Sequence, residues 1–267
     1  WVYLISASFR VLISRAIIKY PREKLFPWWQ AYAKKALGRV EEALHELEEI
    51  DTRFPKEWYI QRDVADGYVQ LQKYDEAWLW FCKAASCPGD VKGRYKMFEQ
   101  MSQLLEHLGR WQEAYDHLQL ASAVTERQRW DRPATVLQSQ LAQFRNRHMD
   151  HLSQPDTSVE EWSNLFRRCQ VLWRETIRAS RPSYKGQIVK IIEEKKYGFI
   201  KRYDDHDNRD IFFQLRNVIK SVTLIVGMEV EFELENSFDR SKKEERPVAI
   251  NVRRAKGSIW TTCLYFL

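Results

Sequence analysis

KKYGFIKR (Lys195 to Arg202) places two aromatic residues two positions apart and fences them with pairs of cations. On a strand, side chains two residues apart share a face. Tyr197 and Phe199 therefore point one way and Ile200 the other. A core strand hides its rings and has no use for flanking charge. A surface that stacks flat rings and neutralises a polyanion needs both.

The rhythm around this stretch is that of short strands. GQIVKII (186–192), KYGFIKRY (196–203), DIFFQL (210–215), MEVEFELE (228–235) and PVAINVRR (247–254) alternate in character. The turn-like stretches DDHDNR (204–209) and ENSFDRSKKEER (235–246) separate two pairs of them. Five such strands in a small unit predict a closed barrel, because closure removes sheet edges. If Ile211 and Phe213 face the core, Phe212 faces outward beside Tyr197 and Phe199.

GQIVKIIEEKKYGFI (186–200), DIFFQ (210–214), GMEVEFEL (227–234) and PVAINV (247–252) together resemble the cold-shock domain, an OB-type barrel, in order and spacing. The likeness covers residues 185–255. It implies that Tyr197, Phe199 and Phe212 stack nucleobases, with Lys190, Lys195, Lys196, Lys201, Arg202 and Gln214 supplying polar and phosphate contacts. Base–aromatic stacking is worth about 1–3 kcal/mol per base and tolerates any sequence. The chain departs from the family at four points. Lys190 replaces a first-strand aromatic, Lys196 a glycine, Gln214 a histidine, and Leu215 stands where a further ring often sits. Fewer rings and more cations predict weaker, more salt-dependent binding.

The first half reads differently. GRVEEALHEL (from Gly38), QKYDEAWLWF (from Gln72) and GRWQEAYDHL (from Gly109) echo one another, with alanines at Ala43, Ala77 and Ala114, spaced 34 and 37 apart. A period of about 34 in a helical sequence marks a helix-turn-helix solenoid. The small Ala lets antiparallel helices approach, and Gly38 and Gly109 release the turns. Residues 22–127 resemble three tetratricopeptide repeats. The second matches best, through Tyr68, Tyr74, Ala77, Phe81 and Ala84, and about three residues are inserted before the third. Pro27 falls in the first helix of the first repeat and predicts a late helix start. The resemblance implies a concave groove lined by Trp28, Tyr32, Tyr59, Arg62, Asp66, Lys96, Glu99 and Gln103, fit for a protein or peptide.

Residues 1–21 read as a partial preceding helix or repeat, buried by its apolar content. Residues 128–180 carry an amphipathic period near 3.6 and read as a helical capping hairpin. A capping box is predicted at Thr157 and Ser158 with Glu160 and Glu161. Ten arginines between Arg127 and Arg181 offer either a phosphate track or a solvated helix face. Residues 256–267 form an apolar tail of no assigned role. The expected architecture is multidomain α plus β: a tetratricopeptide-like solenoid followed by a five-stranded antiparallel OB-type barrel.

The formal charge of +6 suits an anionic partner. Four scattered cysteines without a C-x-x-C pair predict reduced thiols in the cytoplasm. The apolar start carries Arg10 and Arg15 and makes no membrane-length span. HMDH (148–151) lacks a third ligand at useful spacing, so no metal is expected, nor any cofactor. Phosphate loops, nucleophile elbows and zinc-hydrolase helices do not occur. The reading is an adaptor without catalysis that binds single-stranded RNA or DNA, RNA favoured, and a protein partner. The alternatives are a pure interaction scaffold whose barrel has lost nucleic acid, or, since the chain opens on Trp1, an accessory region of a larger nucleic-acid-processing enzyme.

Overall fold

The structure is a computed structural model that describes residues 7–153, 162–204, 209–219, 223–239 and 244–255. The proposed capping box, most of DDHDNR and the apolar tail lie outside these residues. The chain divides into two compact units, Trp1–Ser180 and Arg181–Leu267.

Three helical hairpins build the centre of the first unit: α2 (Leu25–Ala36) with α3 (Val40–Arg53), α4 (Trp58–Gln70) with α5 (Tyr74–Ser86), and α6 (Tyr95–His107) with α7 (Trp111–Arg127). They follow α1 (Ala7–Lys19) and precede α8 (Asp131–His148) and α9 (Trp162–Ala179). Ala43, Ala77 and Ala114 are wholly buried where paired helices touch. The turn within each hairpin is the same. A left-handed residue at Gly38, Gln72 or Gly109 follows the first helix, and the next N–H reaches back five residues, as Arg39 to the Lys34 carbonyl. That is the Schellman closure of a helix end. Arg129 repeats it between α7 and α8. Pro27 sits in the first turn of α2, where its missing N–H breaks no helical bond.

The insertion before the third repeat has a structural use that its sequence did not disclose. Arg94 is 1% exposed. Its guanidinium donates to the carbonyls of Ala85, Cys87 and Pro88 at 2.8–3.1 Å, closing the end of α5. The last carbonyls of a helix carry the negative end of its dipole, which a buried cation offsets.

Two expectations change. The N-terminal helix is not buried: Ile13 packs inward, but Val11, Leu12 and Ile18 are exposed, since among the described residues α1 packs chiefly on α2. Residues 128–180 are not a paired hairpin either. Helix α8 packs on α7, while α9 returns over α5 and α7. Trp173 is the reason. It stacks on Phe98 with centroids 5.8 Å apart, and its indole N–H donates to His117 Nε2 at 2.9 Å. Trp78 donates to Thr176 at 3.0 Å, and Arg168 grips the buried Asp116 through two bonds.

The second unit is a closed barrel of β1 (Ser183–Ile192), β2 (Tyr197–Arg202), β3 (Asp210–Gln214), β4 (Glu229–Asp239) and β5 (Glu244–Arg254), in the order β1-β2-β3-β5-β4. Four pairings are antiparallel, and β3–β5 is parallel. A ring with an odd number of strands cannot alternate throughout, so one parallel pair is required. Ile188, Ile200, Ile211, Phe213, Val230, Phe232, Ala249 and Val252 fill the core. ENSFDRSKKEER, read as a turn, instead extends the β4–β5 ladder as far as Asp239 opposite Glu244. Glu235, Ser237, Glu244 and Arg246 are exposed there, so these positions carry no apolar alternation to detect.

His117 Nδ1–H donates to the Glu113 carbonyl and Nε2 accepts from Trp173, so the buried ring is held neutral. Burial pushes its pKa down from 6.5 to about 4. Between those values the unfolded chain binds the proton and the folded chain does not. The helical unit should therefore lose stability as pH falls from 6.5 to 4, by about 3 kcal/mol in total. Denaturant unfolding of wild type and His117→Gln at pH 7.5, 5.5 and 4.5 checks this. The glutamine variant, which cannot titrate, should show the shallower decline.

Candidate nucleic-acid interface

The barrel face starts from a glycine. A Cβ at Gly198 would stand 2.5 Å from the Lys190 carbonyl oxygen and 2.6 Å from the Phe213 ring. Only glycine lets the wholly buried Phe213 lie under β2. Its neighbours Tyr197 and Phe199 then turn outward, and Ile200 turns in.

Across the strands, Phe199 pairs with Phe212 and Tyr197 with Gln214. The rings of Tyr197, Phe199 and Phe212 form a triangle with centroid separations of 5.7, 5.4 and 6.0 Å, all half-buried. The alternation expected for Ile211, Phe212 and Phe213 holds. A bulge between Ile188 and Lys190 sets Lys190 opposite Phe199. A lysine thus stands on the ring face at the position where the resemblance placed an aromatic. Lys201 shares that face and sits opposite Asp210, while Lys195 and Lys196 lie in the turn before β2. All four lysines are exposed and form no ion pair among the described residues.

Arg202 is a correction. Alternation turns it from the rings, its guanidinium makes two 2.9 Å bonds to Asp204, and it lies 4.3 Å over the Tyr184 ring. Three residues on the ring face escaped the sequence reading. Ile192 stands opposite Tyr197, Val248 beside Phe212, and Asp210 opposite Lys201. Ile192 and Val248 were legible only with the bulge and the parallel pairing in hand.

The helical unit carries a second candidate surface, a groove of about 500 Å³ on α2, α4 and α6. Tyr32, Arg62, Asp66, Lys96, Glu99 and Gln103 all line it, as expected. Trp28 and Tyr59 do not. They meet edge to face at 4.8 Å, and the Trp28 indole donates to Asp63 at 2.8 Å, so both are used in joining α2 to α4. Sequence reasoning missed the buried Lys35 and Asp63, which neutralise each other inside the wall. Asp66 is held by Lys35 and Gln70, and Glu99 by Gln140. Lys96, Gln100 and Gln103, on one side of α6, form no hydrogen bond or ion pair among the described residues.

The arginine-rich face between Arg127 and Arg181 is largely engaged locally. Arg127 lies over Trp162, Arg145 bonds Tyr115, Arg147 pairs with Glu106 and Arg168 with Asp116. Burial lifts the Cys82 thiol above its ordinary value and Cys87 to about 11, so both remain thiols at neutral pH. No cluster of metal-ligating residues occurs among the described residues, and no described helix is long and apolar enough to cross a membrane.

Residues 184–255 match the 'Cold-shock' DNA-binding domain. The match begins one residue before the likeness seen in the sequence, and it takes in the whole ring face. No curated protein matches the chain. Among solved structures, the chain is similar to MamA MSR-1, with 17% identity and a TM-score of 0.35 over 52% of this chain and 86% of that one. It is also similar to a Podosopora anserina protein with nearly identical TPR-like repeats, described as a kinesin light chain. There the identity is 16% and the TM-score 0.42, over 64% of this chain and 88% of that one.

The turn into β2 is strained. Lys196 has φ +55° where the cold-shock pattern has glycine. A left-handed non-glycine residue costs about 1–2 kcal/mol. Lys196→Gly should therefore stabilise the barrel by about 1 kcal/mol while weakening oligonucleotide binding and lowering its salt slope by about 0.7. Gly198→Ala should destabilise it by about 1–3 kcal/mol, from forced displacement of Phe213. Denaturant melts and salt titrations of the two variants check both signs.

Proposed function

We propose that the chain is a cytoplasmic, non-enzymatic adaptor that holds single-stranded nucleic acid on its cold-shock barrel and a protein segment in its helical groove. The observation that carries this reading is the triangle of Tyr197, Phe199 and Phe212 flanked by four exposed lysines without ion pairs among the described residues. A duplex buries its base faces, whereas a single strand offers them to rings. The lysines then meet the backbone as point charges.

RNA is the favoured strand over DNA. The groove adds the second function: Asp66 is engaged by Lys35 and Glu99 by the Gln140 amide, leaving the amides of Gln100 and Gln103 and the Lys96 cation to face an extended segment. The protonated thiols of Cys82 and Cys87, which form no disulfide among the described residues, are in keeping with a reducing compartment.

The test is binding of a labelled single-stranded nonamer, as RNA and as DNA of one sequence, to the full chain at 50 and 200 mM salt. The Tyr197→Ala/Phe199→Ala/Phe212→Ala variant should lose at least tenfold in affinity, since each stack contributes about 1–3 kcal/mol. Four phosphate contacts give a log–log salt slope of about −3. Equal binding by variant and wild type, or none by wild type at low salt, would sink the nucleic-acid reading. Tighter binding of DNA would reverse the preference between strands.

A further inference from the structure

We propose that Gln214 makes one position of this barrel an adenine reader, an inference that rests on the single-strand reading above. Gln214 ends β3 directly opposite Tyr197, on the ring face. Its backbone is extended at φ −97°, ψ 143°. The following residue is tied down, since Leu215 N–H donates to the Lys196 carbonyl at 2.9 Å. The corner that strains Lys196 therefore also fixes where the Gln214 side chain begins.

The carboxamide itself is uncommitted. It is half-buried and makes no hydrogen bond among the described residues. Such a group is partly removed from water and gains nothing in return until a ligand arrives. Other polar groups on this unit are engaged: Asn251 with Glu233, Asn217 with the Ala249 carbonyl, and Gln187 with the Gly227 carbonyl.

A base lying on the Tyr197 ring turns its edge toward neighbouring side chains. A carboxamide presents an acceptor and a donor side by side in one plane. Along the N7 edge only adenine offers the complement, with its N6 amino group donating to Oε1 and its N7 accepting from Nε2. Guanine presents two acceptors there, which suit a cation, and pyrimidines present a single group. A bidentate pair of this kind discriminates by about fivefold or more.

The experiment uses the full chain and a labelled uridine nonamer carrying one adenosine, moved through each position in turn. The best-placed adenosine should bind at least fivefold tighter than all-uridine. A 7-deazaadenosine there, which stacks but lacks the N7 acceptor, should bring the ratio to within twofold. In Gln214→Ala the adenosine-to-uridine ratio should likewise fall to within twofold. Gln214→Glu, which keeps an acceptor toward N6 and turns the donor into a second acceptor, should fall between. Melting of both variants at the wild-type temperature establishes that the barrel is intact. An absent adenosine preference, or one that survives 7-deazaadenosine or Gln214→Ala, overturns the assignment and leaves single-strand binding standing. Failure of wild type to bind any nonamer overturns both.

Discussion

The Phe213 ring occupies the space that a side chain on residue 198 would fill, and the ring face follows from that contact. With Gly198 turned inward over Phe213, Tyr197 and Phe199 have no option but the outer surface. The ladder then brings Phe212 opposite Phe199 and Gln214 opposite Tyr197. A one-residue slip would send every ring inward and every core residue into water. The wholly buried Ile200 and Phe213 oppose that slip, so the same residues that stabilise the barrel hold the face in register. Fold and site share one constraint here, and a change at 198 would disturb both.

The exposed charge around the rings has its own logic. Lys190 stands where an additional ring would extend the stacking surface, and the bulge in β1 keeps it on that face. Lys196 holds a left-handed conformation that glycine would hold without strain. A chain tuned for barrel stability alone would have glycine there. Strain at an exposed cation without an ion pair among the described residues is the kind of local cost that accompanies a functional surface. Under the function proposed above, the two substitutions together shift the balance from stacking toward backbone electrostatics, which fall off with salt.

Much of this is legible in the sequence. Alternation in KKYGFIKR and DIFFQ assigned each ring to its face, because a period of two survives whenever one side of a strand is buried. The alanine period of the helical half located all three hairpins, since close helix contact demands a small residue at a fixed place. What escaped had no local signature. The bulge after Ile188 and the parallel β3–β5 pairing depend on closure of the whole ring. The return of α9 over α5 and α7 depends on Trp173 meeting Phe98 and His117, partners far away in sequence. Arg202 was misplaced because composition counted its charge while alternation, applied to it as to its neighbours, already turned it away. Trp28 and Tyr59 were read as groove residues because they lie on the groove-lining helices, yet a residue on such a helix can also serve the helix next to it.

The distribution of cations explains why net charge was a poor guide to where an anion would sit. In the helical unit arginine is chiefly a structural residue. Arg94 closes a helix end, Arg168 holds a buried aspartate, and Arg110, Arg127 and Arg145 lie over aromatic rings. A planar fork with several donors is suited to such fixed geometry, and its charge is then offset within the fold. The lysines of the barrel are the opposite case. Lys190, Lys195, Lys196 and Lys201 are exposed and without ion pairs among the described residues, beside rings that are themselves half-exposed. A flexible ammonium loses little by waiting in water and can follow a backbone whose phosphates vary in position. Under the proposed function, the basic character that matters for a partner is two lysines on the ring face and two in the turn beside it, while many of the helical unit's arginines are occupied in local contacts.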